Sequence, residues 1–396
     1  MGIDWERLQA RRAANVRSSV TFKFGEPSEA PGTISFAGGA PPANLLPLAR
    51  MAEATARAWE TADPSVMYYD EYQGYEPFRE LIAERMSRRG ANISASEILI
   101  THGSQQGLEL IAKLFLDPGD RVIVEAPTYF GALQIFEVYE SEFVPVPVDD
   151  SGIVIDALEV ALQSKPTPKF MYLIPTFQNP TGIALDPGRR RKVIELARHY
   201  GVPIVEDDPY GELWFRGGDH GTLRQLGPEV IYLGTFSKTM APALRMGWMV
   251  APPSLMTRFT YAKEGVDIQS DRIVQRAMVY ACEGDWLDEH IAEARIEYRG
   301  RCDYMLECLE REMPRGTRWT EPDGGFFIWV TLPDGANADE LVKECAKQGA
   351  MYNPGSCFYT DWEPKPTLRL GFSTLSREEM HEGLKRMGAV FRRHLG

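Results

Sequence analysis

The chain has 396 residues, of which 44% are hydrophobic and 25% charged, and an acidic excess gives it a formal net charge of -13. Such a composition is globular and long enough for two or three domains, while the acidic balance speaks against a nucleic-acid-binding face, which needs clustered Lys and Arg. Five cysteines (Cys282, Cys302, Cys308, Cys345 and Cys357) form no Cys-x-x-Cys pair, so reduced thiols in a cytoplasmic protein are expected, with neither a disulfide framework nor a metal site.

The start, Met1-Gly2-Ile3-Asp4-Trp5, lacks a basic stretch followed by an apolar one, so no secretory signal is expected. No apolar run is long enough to span a membrane. Residues 5–20 interleave apolar and basic side chains and predict a helix. Gly25 to Pro47 is too rich in Gly and Pro to be regular throughout. Residues 1–45 therefore read as an arm that lies over the rest.

From about residue 75 helices and strands alternate. Glu76–Arg89 predicts an amphipathic helix, Ile98–Ile100 a strand, and Ser104–Phe115 a helix closed by Asp117-Pro118-Gly119-Asp120. Val122–Val124 is a strand, Phe130–Tyr139 a helix, and Phe143–Val148 and Phe170–Ile174 are strands. Pro187–Tyr200 is a helix, followed by strands at Val202–Val205, Val230–Leu233 and Met246–Val250. Short apolar strands alternating with longer helices predict an α/β fold, with a mostly parallel sheet covered by helices on both faces. From about residue 285 a long charged helix, Asp285–Glu312, leads to strands at Gly325–Val330 and Thr367–Leu370. The expected division is an arm (1–45), a large α/β domain (46–284) and a small α+β domain (285–396).

Chemistry-bearing residues follow the strands. Thr101-His102-Gly103-Ser104-Gln105, Pro127-Thr128-Tyr129, Asn179-Pro180-Thr181-Gly182, Asp207-Asp208-Pro209-Tyr210 and Thr235-Phe236-Ser237-Lys238 each come after one. In a parallel sheet these loops share the carboxyl edge, where open α/β sheets bind ligands. Gly103-Ser104 opens a helix whose free N–H groups and dipole suit a phosphate, although a plain N-cap at Ser104 explains the step as well. Thr235, Ser237 and Lys238, with Arg245 seven residues on, form a second anion-friendly cluster. Asp207 at the end of an apolar strand calls for a cationic partner. A protonated pyridine nitrogen would serve: at about 4 Å and an effective dielectric near 20 such a pair is worth roughly 4 kcal/mol, or about three pKa units. Asn179-Pro180-Thr181-Gly182 also reads as an ordinary turn.

Together these segments resemble the fold-type I pyridoxal-phosphate enzymes, the class I and II aminotransferases of the aspartate-aminotransferase superfamily. The resemblance rests on Ser35-Phe36-Ala37-Gly38-Gly39, Tyr69 to Tyr75, Gly103-Ser104-Gln105, Asn179-Pro180-Thr181-Gly182, Asp207-Asp208-Pro209-Tyr210, Ser237-Lys238 with Arg245, and Arg369. The opening Ser-Phe-Ala-Gly-Gly and Glu206-Asp207-Asp208-Pro209-Tyr210 are similar to the branch of 2-aminoadipate, kynurenine and broad-range aminotransferases, whose domain also occurs in MocR-type transcription regulators. The resemblance implies a seven-stranded type of sheet in the large domain, pyridoxal phosphate as cofactor and no metal. It implies that Lys238 forms a Schiff base and moves the proton, and that Asp207 pairs with the ring nitrogen. Tyr210 and Asn179 would hydrogen-bond the ring oxygen, and Tyr129 would stack on the ring. Gly103, Ser104, Gln105, Thr235, Ser237 and Arg245 would hold the phosphate. Tyr69 would reach across from a second subunit, making a homodimer with shared active sites. Arg369, with Asn179 and Gly39 nearby, would clamp the substrate carboxylate; by itself an arginine on a strand reads as a surface residue, but Leu368, Leu370 and Phe372 surround it.

The reaction this predicts is amino transfer from an L-amino acid, apolar, aromatic or 2-aminoadipate-like, to a 2-oxo acid such as 2-oxoglutarate. Carbon–sulfur lyases and decarboxylases share the scaffold. A regulator would carry a helix-turn-helix segment ahead of a resemblance that here begins by residue 34. If Phe22 faces the pocket, apolar donors are favoured over dicarboxylates; if Arg17 or Lys23 does, the order reverses.

Overall fold

The computed structural model describes residues 2–16, 32–69 and 72–395. Phe22, Arg17 and Lys23 lie outside the described residues. Fourteen strands are numbered in chain order: β1 (Ile34–Ser35), β2 (Ile98–His102), β3 (Arg121–Ala126), β4 (Glu142–Asp149), β5 (Gly152–Ile153), β6 (Phe170–Leu173), β7 (Ile204–Asp208), β8 (Val230–Thr235), β9 (Met246–Val250), β10 (Arg318–Trp319), β11 (Phe327–Thr331), β12 (Ala350–Met351), β13 (Asn353–Pro354) and β14 (Thr367–Gly371).

One large sheet runs in the order β2-β9-β8-β7-β6-β3-β4-β5. Seven strands form its body, and two-residue β5 adds an antiparallel edge. The neighbours from β8 through β7, β6 and β3 to β4 are parallel. β9 runs against both β8 and β2, so β2 again points with the parallel set. The carboxyl ends of β2, β3, β6, β7 and β8 therefore share one edge.

Alternation along these strands divides the apolar residues between two cores. Val122, Val124, Tyr172 and Val205 face the helices Gly103–Phe115, Phe130–Val138 and Pro253–Asp267. Ile123, Met171, Leu173 and Ile204 face Ile155–Leu162 and Pro187–Tyr200. Truncating a leucine to alanine in either core costs ~2–5 kcal/mol. The Pro187–Tyr200 helix shows how local sequence sets the ends. Asp186 caps it by accepting from the Gly188 and Arg189 N–H groups, Pro187 takes the first turn, and Gly201 closes it with a left-handed φ of 67°.

A four-stranded antiparallel sheet, β10-β11-β14-β13, carries the C-terminal part. It packs with the helices Trp286–Glu312, Ala338–Lys347 and Arg377–Leu395 in a third core. Strand β1 pairs in parallel with β12, tying residues 34 and 35 to that part of the fold. The helix expected over residues 5–20 is, in its described part, only a 3-10 turn, Arg11–Asn15. None of its side chains is buried, and so short a helix without a packed face is not stable. The helices Leu48–Glu60, Ile155–Leu162, Pro253–Asp267, Arg272–Ala281, Ala338–Lys347 and Arg377–Leu395 come in addition to those expected. Strand β7 begins two residues later than the apolar run and extends to Asp208, which puts both aspartates inside the sheet.

Candidate active site

A cavity of about 370 Å³ opens at the shared carboxyl edge. Its walls come from the loops after β2, β3, β6, β7 and β8, from residues 37–39, and from β11 and β14.

At one end lies the turn after β2. Gly103 has φ of 73°, and a Cβ there would stand 2.8 Å from Nη2 of Arg245, so this position requires glycine. The helix begins at Gly103 with His102 as its N-cap residue. Ser104 therefore sits in the first turn, not at the cap, and the cap reading of Ser104 is corrected. Gly103, Ser104 and Gln105 of that turn line the cavity, and the N–H groups of a first turn have no partner within the helix. Arg245 reaches the same corner, donating to the His102 carbonyl at 2.9 Å. Thr235 and Ser237 hold their hydroxyl oxygens 2.9 Å apart and line it too. Helix dipole, hydroxyls and guanidinium form a cup for a small anion.

At the other end are the consecutive carboxylates of β7. Asp208 points away from the cavity and is saturated: Arg89 donates to it at 2.8 Å, the Tyr232 hydroxyl at 3.0 Å and the Gly211 N–H at 2.9 Å. Asp207 lines the cavity. Its Oδ2 accepts from the Tyr172 hydroxyl at 2.9 Å, while Oδ1 is buried without a partner. Burial pushes the Asp207 carboxyl up to about 7, against the Tyr172 hydrogen bond, which lowers it. A buried, half-satisfied carboxylate of this kind fits a cationic N–H donor. Asp207, the aspartate expected from the sequence to meet a ligand, is the one of the pair that lines the cavity.

Between the two ends lies Lys238, whose amine donates to the Gly39 carbonyl at 2.7 Å. Burial, with Arg369 and Arg245 nearby, lowers its pKa to about 8, which makes it a far better nucleophile at neutral pH than an exposed lysine. Tyr129 borders the cavity, its hydroxyl 3.3 Å from Gln105 Oε1. Tyr210 borders it as well and packs edge-on against Phe327, with centroids 5.9 Å apart.

Arg369 on β14 is 3% exposed. It donates to Asn179 Oδ1 at 2.8 Å and to the Ala37 carbonyl at 2.6 Å. Its guanidinium lies 4.0 Å from the Phe327 ring centroid and 5.0 Å from that of Phe358, in cation–π range of both. Burial lowers its pKa to about 10, still leaving it charged at neutral pH. Gly39 has no room for a side chain, since a Cβ would run into the Phe327 ring.

The cavity thus gathers thirteen of the fourteen residues singled out in the sequence. Tyr69 is the exception: it is 72% exposed and outside the wall. Sequence reasoning missed Ala37, Tyr172, Phe327 and Phe358. Ala37 acts through its carbonyl, which leaves no side-chain signal. Tyr172 was hidden in an apolar strand, where its hydroxyl was the available clue. A planar ring with a basic nitrogen at one end, an anionic arm at the other and a carbonyl toward Lys238 would suit Asp207, the anion cup and the amine, and would leave Arg369 for a second anionic group.

A model of the aminotransferase class I and II family matches residues 32–387. Over 400 aligned residues the chain is 38% identical to aromatic-amino-acid aminotransferase 1 of Thermococcus litoralis, covering 99% of this chain and 96% of that protein. A crystal structure of Pyrococcus horikoshii kynurenine aminotransferase in complex with PMP superposes with a TM-score of 0.94 at 38% identity and 99% coverage of both chains. A structure of α-aminoadipate aminotransferase from Thermus thermophilus, complexed with N-(5'-phosphopyridoxyl)-L-leucine, superposes with a TM-score of 0.92 at 35% identity, again covering 99% of each chain.

Proposed function

The chain belongs to the class I and II aminotransferase family of pyridoxal-phosphate enzymes, and we propose that it moves the amino group of apolar and aromatic L-amino acids, with 2-aminoadipate-like donors in a broad range, to 2-oxoglutarate. The observation that carries this reading is the single cavity that joins the Lys238 amine, the orphaned Asp207 Oδ1 and the Arg369 guanidinium. The cofactor, when bound, supplies an electron sink for the carbanion formed at the donor's α-carbon.

The residues of the cavity divide the work. Lys238 would hold the cofactor through its amine, and that amine, when free, would carry a proton to and from the substrate carbon. Asp207 Oδ1 would accept from the ring N–H and keep that nitrogen charged. Tyr210 and Asn179 would donate to the ring oxygen, and Tyr129 would pack against the ring. Gly103, Ser104, Gln105, Thr235, Ser237 and Arg245 hold the phosphate. Arg369 grips the substrate carboxylate, with Asn179 and Gly39 at its side.

Side-chain preference follows from the lining. Among the described residues that line the cavity, the cations are Lys238, Arg245 and Arg369, and each already has a partner in this scheme. The rest of the lining includes the apolar groups Phe130, Ile174, Pro209, Pro242 and Phe327. The aromatic-amino-acid relative and the leucine adduct bound in the α-aminoadipate aminotransferase structure support apolar donors, and the name of that second enzyme supports 2-aminoadipate-like ones beside them.

We take the working unit to be a homodimer in which Tyr69 of each subunit completes the other's site. The exposed run of Met67, Tyr68 and Tyr69, each about 70% accessible, supports it. Five buried, unpaired cysteines support a cytoplasmic setting. The arm (1–45), large domain (46–284) and small domain (285–396) are read as the functional divisions, with the β1–β12 pairing joining arm to small domain. No helix among the described residues is long and apolar enough to cross a membrane.

The test is kcat/KM for acidic, aliphatic and aromatic donors with 2-oxoglutarate as acceptor. Leucine, methionine or aromatic donors should lead; a lead of tenfold or more for aspartate or 2-aminoadipate (about 1.4 kcal/mol) overturns the donor preference.

A further inference from the structure

The two carboxylates of β7 are served in parallel from the neighbouring strands. Tyr172 of β6 donates to Asp207 Oδ2 at 2.9 Å, and Tyr232 of β8 donates to Asp208 Oδ2 at 3.0 Å on the opposite face of the sheet. Register explains the match. Tyr172 stands beside Val205, two residues before Asp207 and on the same face, and Tyr232 stands beside Glu206, two before Asp208. Asp208 has Arg89 and the Gly211 N–H as further partners. Asp207 has only Tyr172, and its Oδ1 is left for the cavity.

Tyr172 is fully buried and stands behind the carboxylate, outside the cavity wall. Its ring is fixed edge-on against Phe136, with centroids 5.8 Å apart, so the hydroxyl has a set direction. A neutral O–H donor favours the ionised form of its carboxylate acceptor. It also restrains rotation of the carboxylate, leaving one oxygen for a ligand and not two.

We propose that Tyr172 is a positioning residue for amino transfer: its hydroxyl aims Asp207 Oδ1 into the cavity and holds that carboxylate ionised, and so keeps the cofactor's ring nitrogen protonated. The inference rests on the reading of Asp207 as the partner of that nitrogen. It assigns to a residue that touches neither substrate nor cofactor the balance of the proton between carboxylate and ring. Two influences oppose Tyr172, burial and the adjacent Asp208; Lys238 across the cavity acts with it. Tyr129 and Tyr210 are the other titratable groups close enough to Asp207 to feel its charge. Without the hydroxyl, Oδ2 would be a second buried oxygen with no donor, and the proton shared with the ring would move toward the carboxylate.

The experiment is NMR of the holoenzyme reconstituted with cofactor labelled at the pyridine nitrogen, recorded for wild type, Tyr172→Phe, Asp207→Asn and Tyr232→Phe. Wild type and Tyr232→Phe should show the protonated-ring signal. Asp207→Asn should show the neutral-ring signal. Tyr172→Phe should lie displaced toward neutral, with kcat lowered roughly tenfold and KM for the donor little changed. A wild-type signal in Tyr172→Phe, with Asp207→Asn displaced, overturns the role of Tyr172 alone. An equal displacement in Tyr232→Phe overturns it too, because it would trace the effect to packing. A wild-type signal in Asp207→Asn overturns the underlying reading of Asp207 instead.

Discussion

Arg369 donates to the side-chain oxygen of Asn179 across 2.8 Å, although the two residues lie in different parts of the fold, one on β14 and the other in the loop after β6. This bond fixes the amide so that its NH2 group is left to donate elsewhere, and it holds the guanidinium between Phe327 and Phe358. Removing the guanidinium strips the site of its carboxylate receptor and leaves Asn179 Oδ1 and the Ala37 carbonyl without this donor.

Arg369→Ala is therefore expected to lose ~3–5 kcal/mol of transition-state binding. The loss should be the same for every donor, because each brings the same α-carboxylate. Measuring kcat/KM for aliphatic and aromatic donors checks this. A loss confined to one side-chain class would assign Arg369 to side-chain recognition.

Lys238→Ala should abolish the borohydride-reducible link between protein and cofactor, together with nearly all turnover. Mass spectrometry of the reduced, digested protein reads it directly. A labelled peptide elsewhere in the mutant would move the role to another amine. The lowered pKa of Lys238 adds a pH dependence. Capture of pyridoxal phosphate by the apoenzyme should quicken as pH rises through about 8, instead of climbing on toward the 10.4 or so of a free lysine.

In the apoenzyme Asp207 works against stability. Its folded pKa of about 7 lies above its ordinary value of 3.8, so the folded state binds more protons between those limits. Stability is then lost as pH rises from about 4 to 7 and is flat above. Asp207→Asn should remove this slope, making apo Asp207→Asn more stable than apo wild type at pH 8 while its holoenzyme turns over far more slowly. Thermal unfolding of both apo forms from pH 5 to 8 measures it; parallel curves would contradict it.

Much of this was legible in the sequence because the site is built from loops at strand ends, where a turn or a cap announces itself in the residues. Lys238, Asn179 and Gly103 are of that kind. Asp207 was legible as a carboxylate in an apolar context, but the tyrosine behind it and the turning of Asp208 to the opposite face depend on the register with β6 and β8. Arg369 looked like a surface residue until its apolar neighbours were weighed. What escaped is what depends on contacts distant in sequence: the Ala37 carbonyl on Arg369, 332 positions away, and the Tyr172 hydroxyl behind Asp207. The helix expected over residues 5–20 failed for the complementary reason. Its pattern was local, and no core covers its described part.

Shared active sites predict complementation. Tyr69→Ala and Lys238→Ala subunits, each poorly active alone, should regain activity when refolded together, since a hybrid dimer contains one site with both wild-type residues. Activity that stays at the sum of the two, or a fully active monomer in sedimentation, would contradict the dimeric site.

The central claim is that the Lys238, Asp207 and Arg369 cavity performs amino transfer and not elimination or decarboxylation. Incubating the holoenzyme with an aromatic or aliphatic donor alone tests it most directly. Amino transfer predicts one equivalent of 2-oxo acid per active site and then a halt, relieved when 2-oxoglutarate is added. Continuous product formation without any oxo acid would contradict it.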